Sequence, residues 1–287
     1  HAPGGRVAAL LCRLWYDIVM VTISKKREEK LAGLVREFFA AHPEVRLVAV
    51  TGSAGKASAK IAIGTVLAQQ FNIQLGNDEP KTKADVLLQM MGVKMPERGF
   101  FKWWKVIRAV KRRIEAEKPE IQIIVQEFNP KEAGYNEWFK SYVMPDIAVV
   151  TSVTNGRMQV EHSLEEVANE MISLANFSRM AMINRDDIDG RFAGFLTNPN
   201  ITTYGSDPVA EYNFDDRSFS LTDGHHGFIL SPENADGLEV DVKLIGEHNI
   251  RPAIVAAAVG YALGETEENI KKGVEHLRPL PGRMNLL

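Results

Sequence analysis

Short apolar runs bounded by turn residues recur along the chain and alternate with stretches of helical period. "RLVAV", residues 46–50, follows a Pro-containing turn and reads as a buried strand. "IQIIVQ" (121–126), "DIAVVTSV" (146–153, after Pro145) and "MAMIN" (180–184) read the same way. Between them lie helical patterns at about 57–70, 100–118 and 163–177. The last opens with Ser163 and carries Glu166 three residues on, a capping box. Two more helices are expected at 249–263 and 267–277. Continuous apolar strands separated by helices predict an α/β fold, a mostly parallel sheet flanked by helices. From 202 to 244 the period changes. "SFSLTDGHHGFILS" and "LEVDVKLI" alternate polar and apolar residues around Asp-Gly and His-Gly turns, which predicts a small antiparallel β patch.

Composition narrows the classes. The chain has 287 residues, 45% hydrophobic and 25% charged, ordinary for a soluble globular protein of one large or two smaller domains. A net charge of −3 gives no global basic field, so no nucleic-acid partner is expected. The single cysteine, Cys12, excludes an internal disulfide and a cysteine zinc site. It fits a reducing compartment, and a cytoplasmic location is expected. Residues 7–23 are apolar but interrupted by Arg13 and Asp17, short of the roughly 20 residues a span needs. They read as a helix packed on the domain, or as a membrane-surface or partner helix. Residues 100–118 form a basic pattern with Trp103 and Trp104. That is either an ordinary helix with a solvated basic face and inward tryptophans, or a contact surface for anionic lipid or a protein. His225 and His226 fall in an expected turn and lack the spaced partners of a metal site.

The candidate chemistry begins at "VAVTGSAGKASAK", residues 48–60. Gly52 and Gly55 let the backbone turn tightly around Ser53 and Ala54, so that N–H groups face phosphate oxygens, and the next helix adds its dipole. Lys56 would reach the β/γ-phosphates. Glu127, where the strand 121–126 ends, would supply a carboxylate for Mg²⁺ in the same crevice. A Gly-x-x-Gly-Lys alone is a weak signal; between a buried strand and a helix it points to nucleotide.

Five motifs in order then resemble the Mur ligases, above all their D-alanyl-D-alanine-adding members. "VTGSAGKASAK" resembles the family's "TGSxGKTS" loop. "VQEFNPKEAGYNEWFKSYVMPDIAVVTSV" resembles its "EMG" strand and "PDIAVITNI". "INRDD" resembles "LNADD", "IGEHNIRPAIVAAAVGYALG" resembles "GxHNxxNxxAAxAxAxxLG", and "LPGRMNLL" resembles "PGRxE". Loosely, "GNDE" (76–79) resembles the Asn-rich loop that shapes the acceptor site.

The resemblance implies ATP-dependent amide-bond formation. ATP and Mg²⁺ are the implied cofactors, and the carboxylate of a UDP-N-acetylmuramoyl peptide is activated as an acyl phosphate in peptidoglycan precursor synthesis. It implies that Lys56 binds phosphates, Glu127 holds Mg²⁺, Asp187 and Asn249 sit near the nucleotide, and Arg283 faces the phosphates from a hinge. By the same resemblance, residues 1–45 are an N-terminal helical segment and 46–287 the central ATP-binding domain. The C-terminal ligase domain is expected to be absent.

The sequence departs from the family at four metal and nucleotide positions. Ala57 replaces the Thr or Ser whose hydroxyl touches Mg²⁺, and Ser58 lies about 100° further round the helix. Arg157 stands where the family has His, and could bring positive charge to a former metal position; His162 aligns with the family's glycine. Met171 replaces the carbamylated lysine, and Pro252 replaces the adenine-side Asn. These changes keep a second reading open, a degenerate member that binds nucleotide or serves as a scaffold. A related ligase joining another carboxylate to an amine is a third.

Overall fold

The computed structural model describes residues 25–76, 79–96, 100–154 and 163–279, side chains at 100, 101, 247 and 248 excepted. In chain order the elements are α1 (Lys25–Ala41), β1 (Arg46–Thr51), α2 (Lys56–Leu67), β2 (Ile73–Leu75), α3 (Lys83–Met90), α4 (Phe100–Ile114), β3 (Ile123–Glu127), α5 (Tyr135–Lys140), β4 (Ile147–Val150), α6 (Leu164–Asn176) and β5 (Met180–Asn184). A 3₁₀ turn (Gly190–Phe195) leads to β6 (Ile201–Tyr204), β7 (Asn213–Ser220), β8 (Gly224–Leu230), β9 (Leu238–Val242), α7 (Glu247–Leu263) and α8 (Glu267–Glu275).

Six strands form one sheet in the order β2-β3-β1-β4-β5-β6, every pair parallel. All residues of β3 and β4, and all of β1 but Arg46, are buried. Both faces of the sheet are covered, which is why these strands read as unbroken apolar runs. On one face α1, α3, α4, α5 and α6 pack into a core that includes Leu31, Phe38, Leu47, Leu87, Val110, Phe139 and Ile172. On the other, α2, α7 and α8 pack with Val48, Ile63, Val66, Ile254 and Ile270. The antiparallel sheet β7-β8-β9 adds Phe214, Ile229 and Val240 to that second core.

The sequence expectation needs several corrections. Residues 201–204 belong to the parallel sheet, paired with β5, and the antiparallel sheet starts only at Asn213. Residues 185–200 carry the chain back so that β6 runs beside β5 in the same direction. His225 and His226 lie on β8, not in a turn. Each is paired with a carboxylate, Asp216 at 2.7 Å and Asp241 at 2.8 Å. The basic helix ends at Ile114. Trp103 is buried, whereas Trp104 is 54% exposed. Helix α3 and strand β2 escaped the apolar pattern. For α3 a cap was legible: Thr82 accepts from the Asp85 N–H, and the Asp85 carboxylate accepts from the Thr82 N–H. The capping box at Ser163 and Glu166 forms as its spacing implies.

Candidate nucleotide site

Strand β1 lies between β3 and β4, where the chain has turned both ways across the sheet, and its carboxyl end opens into the loop of residues 52–55. That is the position where ligands bind in open α/β sheets. Gly52 (φ +133°) and Gly55 (φ +80°) adopt backbone conformations that L side chains rarely take. A Cβ on Gly52 would also collide with the Thr151 hydroxyl and sit 2.8 Å from the Ser152 nitrogen. The loop is tied to the end of β4. The Ser53 N–H donates to Ser152 O (2.9 Å), the Ala54 N–H to Ser152 Oγ (2.8 Å), and the Thr151 hydroxyl to Ala54 O. Helix α2 then starts at Gly55 with no side-chain cap. Its first-turn amides and positive dipole end are thereby presented to an anion. Lys56 Nζ donates to Gly52 O at 2.8 Å, so its ammonium folds back over the loop.

Beside this helix end lies a cleft of about 240 Å³ lined by Ala54, Gly55, Ser58, Asp187, Asn249 and Arg251, among others. Six residues singled out in the sequence therefore meet here: Ala54, Gly55, Ser58, Asp187, Asn249 and Pro252. Ser53 is at the loop, its hydroxyl accepting from the Thr154 N–H (3.1 Å). Asn249 spends its amide N–H on Ile245 O. Arg283, Arg157 and His162 lie outside the described residues, as do Asn77 and Asp78 of the "GNDE" stretch.

Arg251 was not singled out from sequence. Its Nε donates to Asp186 (2.6 Å) and its guanidinium NH1 to Asp187 (2.7 Å), joining α7 to the turn after β5. Burial opposes charge on Asp186. The Ser206 N–H, the Arg251 guanidinium and the Asp207 N–H outweigh it and hold that carboxyl below the usual range. Asn184 is buried and donates to Thr151 O (2.6 Å) and Asp187 (3.0 Å), bracing the cleft wall. A cation set inside the apolar run of α7 was the available sequence signal for Arg251.

Glu127 sits in register with Val50, at the base of the loop. Its carboxylate lies 3.4 Å from the Lys60 ammonium, and both side chains are about 95% buried. Lys60, one helical turn beyond Lys56, is a second residue that sequence reading passed over. A lysine within "KASAKIAIGTVL" on a buried helix needs such a partner. The donor set bears on Mg²⁺. Ala57 offers no hydroxyl, and the Thr51 hydroxyl points at the Met171 sulfur (3.5 Å), inside the core. No group of three His, Cys, Asp or Glu residues able to hold a metal occurs among the described residues. A Mg²⁺ held by phosphates needs only one or two protein carboxylates. The residues here fit one such ion, at Glu127, with one carboxylate oxygen already facing Lys60. They do not fit two, since Met171 supplies no oxygen.

Comparisons with known proteins agree with this geometry. The model of the Mur ligase middle domain matches residues 50–260. UDP-N-acetylmuramoyl-tripeptide–D-alanyl-D-alanine ligase of Escherichia coli (strain K12) is 27% identical over 99% of this chain and 58% of its own length. The Bacillus subtilis (strain 168) enzyme of the same name is 24% identical over 84% of this chain and 47% of its own. The chain thus spans about half the length of these curated relatives. MurF from Acinetobacter baumannii superposes with a TM-score of 0.72 at 17% identity, covering 90% of this chain and 51% of that one. MurF ligase from Thermotoga maritima in complex with ADP gives 0.67 at 16% identity, covering 90% and 54%. With the loop, the cleft and 211 matched residues in agreement, the chain belongs to the Mur ligase middle domain family.

Proposed function

We propose that this chain is the ATP-binding core of a Mur-type ligase, which joins the carboxylate of a UDP-N-acetylmuramoyl peptide to an amino acid or dipeptide in cytoplasmic peptidoglycan precursor synthesis. One observation carries the reading. The uncapped N-terminus of α2 opens beside a cleft that Asp187 and Asn249 also line. When bound, the nucleotide supplies the phosphoryl group that activates the carboxylate. The Ser53 and Ala54 amides are engaged by Ser152, so the Gly55 amide and the first turn of α2 would hold its phosphate chain, and Lys56 would leave Gly52 O to meet the β/γ-phosphates. Asp187, steadied by Arg251 and Asn184, would accept from a nucleotide hydroxyl. Asn249 and Pro252 wall the base side of the cleft. Glu127 would offer its remaining oxygen to Mg²⁺, and Arg283 would approach the phosphates.

A second reading has specific support: nucleotide binding with little or no transfer. Ala57 and Met171 remove oxygen donors that the family uses, and Lys60 already neutralises Glu127. Calorimetric titration of ATP and ADP, with and without Mg²⁺, tests the shared core of both readings. Binding that is at least tenfold weaker in Lys56→Ala is expected. No binding by the unaltered chain would overturn both. Binding without acyl-phosphate formation, once a UDP-muramoyl peptide is added, would favour the second.

A further inference from the structure

We propose that the outward face of α4 docks this protein onto an anionic lipid bilayer. Helix α4 carries six cations and no acid. The whole chain has a net charge of −3, so everything outside α4 sums to −9. The six cations divide by role. Arg113 points inward and donates to Gln74 Oε1 (2.7 Å) and Met91 O (2.5 Å), so it holds the fold. Lys102, Lys105, Arg108, Lys111 and Arg112 are all exposed. At 100° per residue they occupy one half of the helix, while Trp103, Val106 and Val110 on the opposite half enter the core.

Trp104 lies within the cationic half and is 54% exposed, with the Arg108 guanidinium 5.3 Å from its ring centroid. It is the one exposed large aromatic that the described residues place on this face. An indole surrounded by cations suits the headgroup layer, where its apolar body and N–H are both accommodated while the cations meet lipid phosphates. Single-stranded nucleic acid instead takes a groove with several stacking rings, whereas α4 offers a convex surface. The Arg27 guanidinium lies 5.7 Å from the Trp103 ring, bringing the exposed cations of the first turn of α1 alongside. A body of net negative charge is repelled by an anionic bilayer while this face is attracted, which favours docking through α4.

The test is co-sedimentation of the full chain with vesicles of phosphatidylcholine alone or mixed equally with phosphatidylglycerol. The expected result is binding to the mixed vesicles only, weakening as salt is raised. A Lys105→Gln/Arg108→Gln/Arg112→Gln variant should bind on the order of a hundredfold more weakly. A control with Lys243→Gln/Lys271→Gln/Lys272→Gln should bind as the parent does. Trp emission should shift to shorter wavelength on binding, and the shift should disappear in Trp104→Phe. The residues altered in α4 are exposed and those of the control are exposed or half-buried, so unchanged circular dichroism is expected to establish folding. Equal binding to both vesicle types, no binding to either, or parental binding by the α4 variant would each overturn the proposal. Capture by an acidic protein without vesicle binding would also overturn it.

Discussion

Replacing Lys60 with methionine removes the positive charge that the structure sets 3.4 Å from Glu127 and leaves the shape of α2 almost unchanged. Both side chains are about 95% buried and their charges are 3.4 Å apart. At an effective dielectric of about 20, that separation corresponds to an attraction of about 5 kcal/mol. Desolvation of both ions offsets much of this, so the pair's net contribution is small. Breaking it is another matter, because the carboxylate stays buried without a partner, at a cost of about 3–5 kcal/mol. Lys60→Met should therefore lose about that much stability in urea unfolding at neutral pH. Lys60→Met/Glu127→Gln should recover most of it, with a coupling energy of at least about 2 kcal/mol. The vacated carboxylate should also become open to a divalent cation, so millimolar Mg²⁺ should raise the stability of Lys60→Met more than that of the parent. If each single change costs under about 1 kcal/mol and the two add to within about 0.5 kcal/mol, the pair is not the buried, coupled unit described here.

Three further outcomes are expected. Gly52→Ala should cost about 1–3 kcal/mol through backbone strain and the collision with Thr151, and should abolish ADP binding in calorimetry. Arg251→Met should release Asp186 and Asp187 from α7 and lower thermal stability by about 1–3 kcal/mol. It should weaken ADP as well, and unchanged affinity would show that Asp187 needs no bracing. Glu265, at the junction of α7 and α8, has its carboxyl pushed up to about 7 by burial, only partly offset by the Gln70 amide. A raised carboxyl pKa means that stability is greatest below the unfolded value near 4.5 and is lost as pH rises through about 7. Denaturation across that window should show Glu265→Gln lacking the decline. It should exceed the parent at pH 8 by on the order of 1–2 kcal/mol after screening by solvent.

The sheet's character, the loop and the family were legible in the order of residues alone. Strands buried on both faces have to be continuous apolar runs, so β1, β3, β4 and β5 were legible from local composition. The loop was legible because Gly52 and Gly55 stand where the chain needs positive φ, and the family because five motifs kept their order. Strand β6 was not legible as part of the main sheet. "ITTY" is compatible with either sheet, and only the path of residues 185–200 sets it parallel to β5. The partners of the charged groups were equally hidden. Lys60 and Glu127 are 67 positions apart, and Arg251 is 64 from Asp187. No local pattern encodes such pairs. Packing alone set Glu127 against an ammonium, brought Arg251 to the cleft beside Asn249, and turned Trp103 inward while Trp104 faces out. The physical reason is that secondary structure follows from neighbours in sequence. The pairing of buried charges follows from which chain segments the packed core brings within a few ångströms.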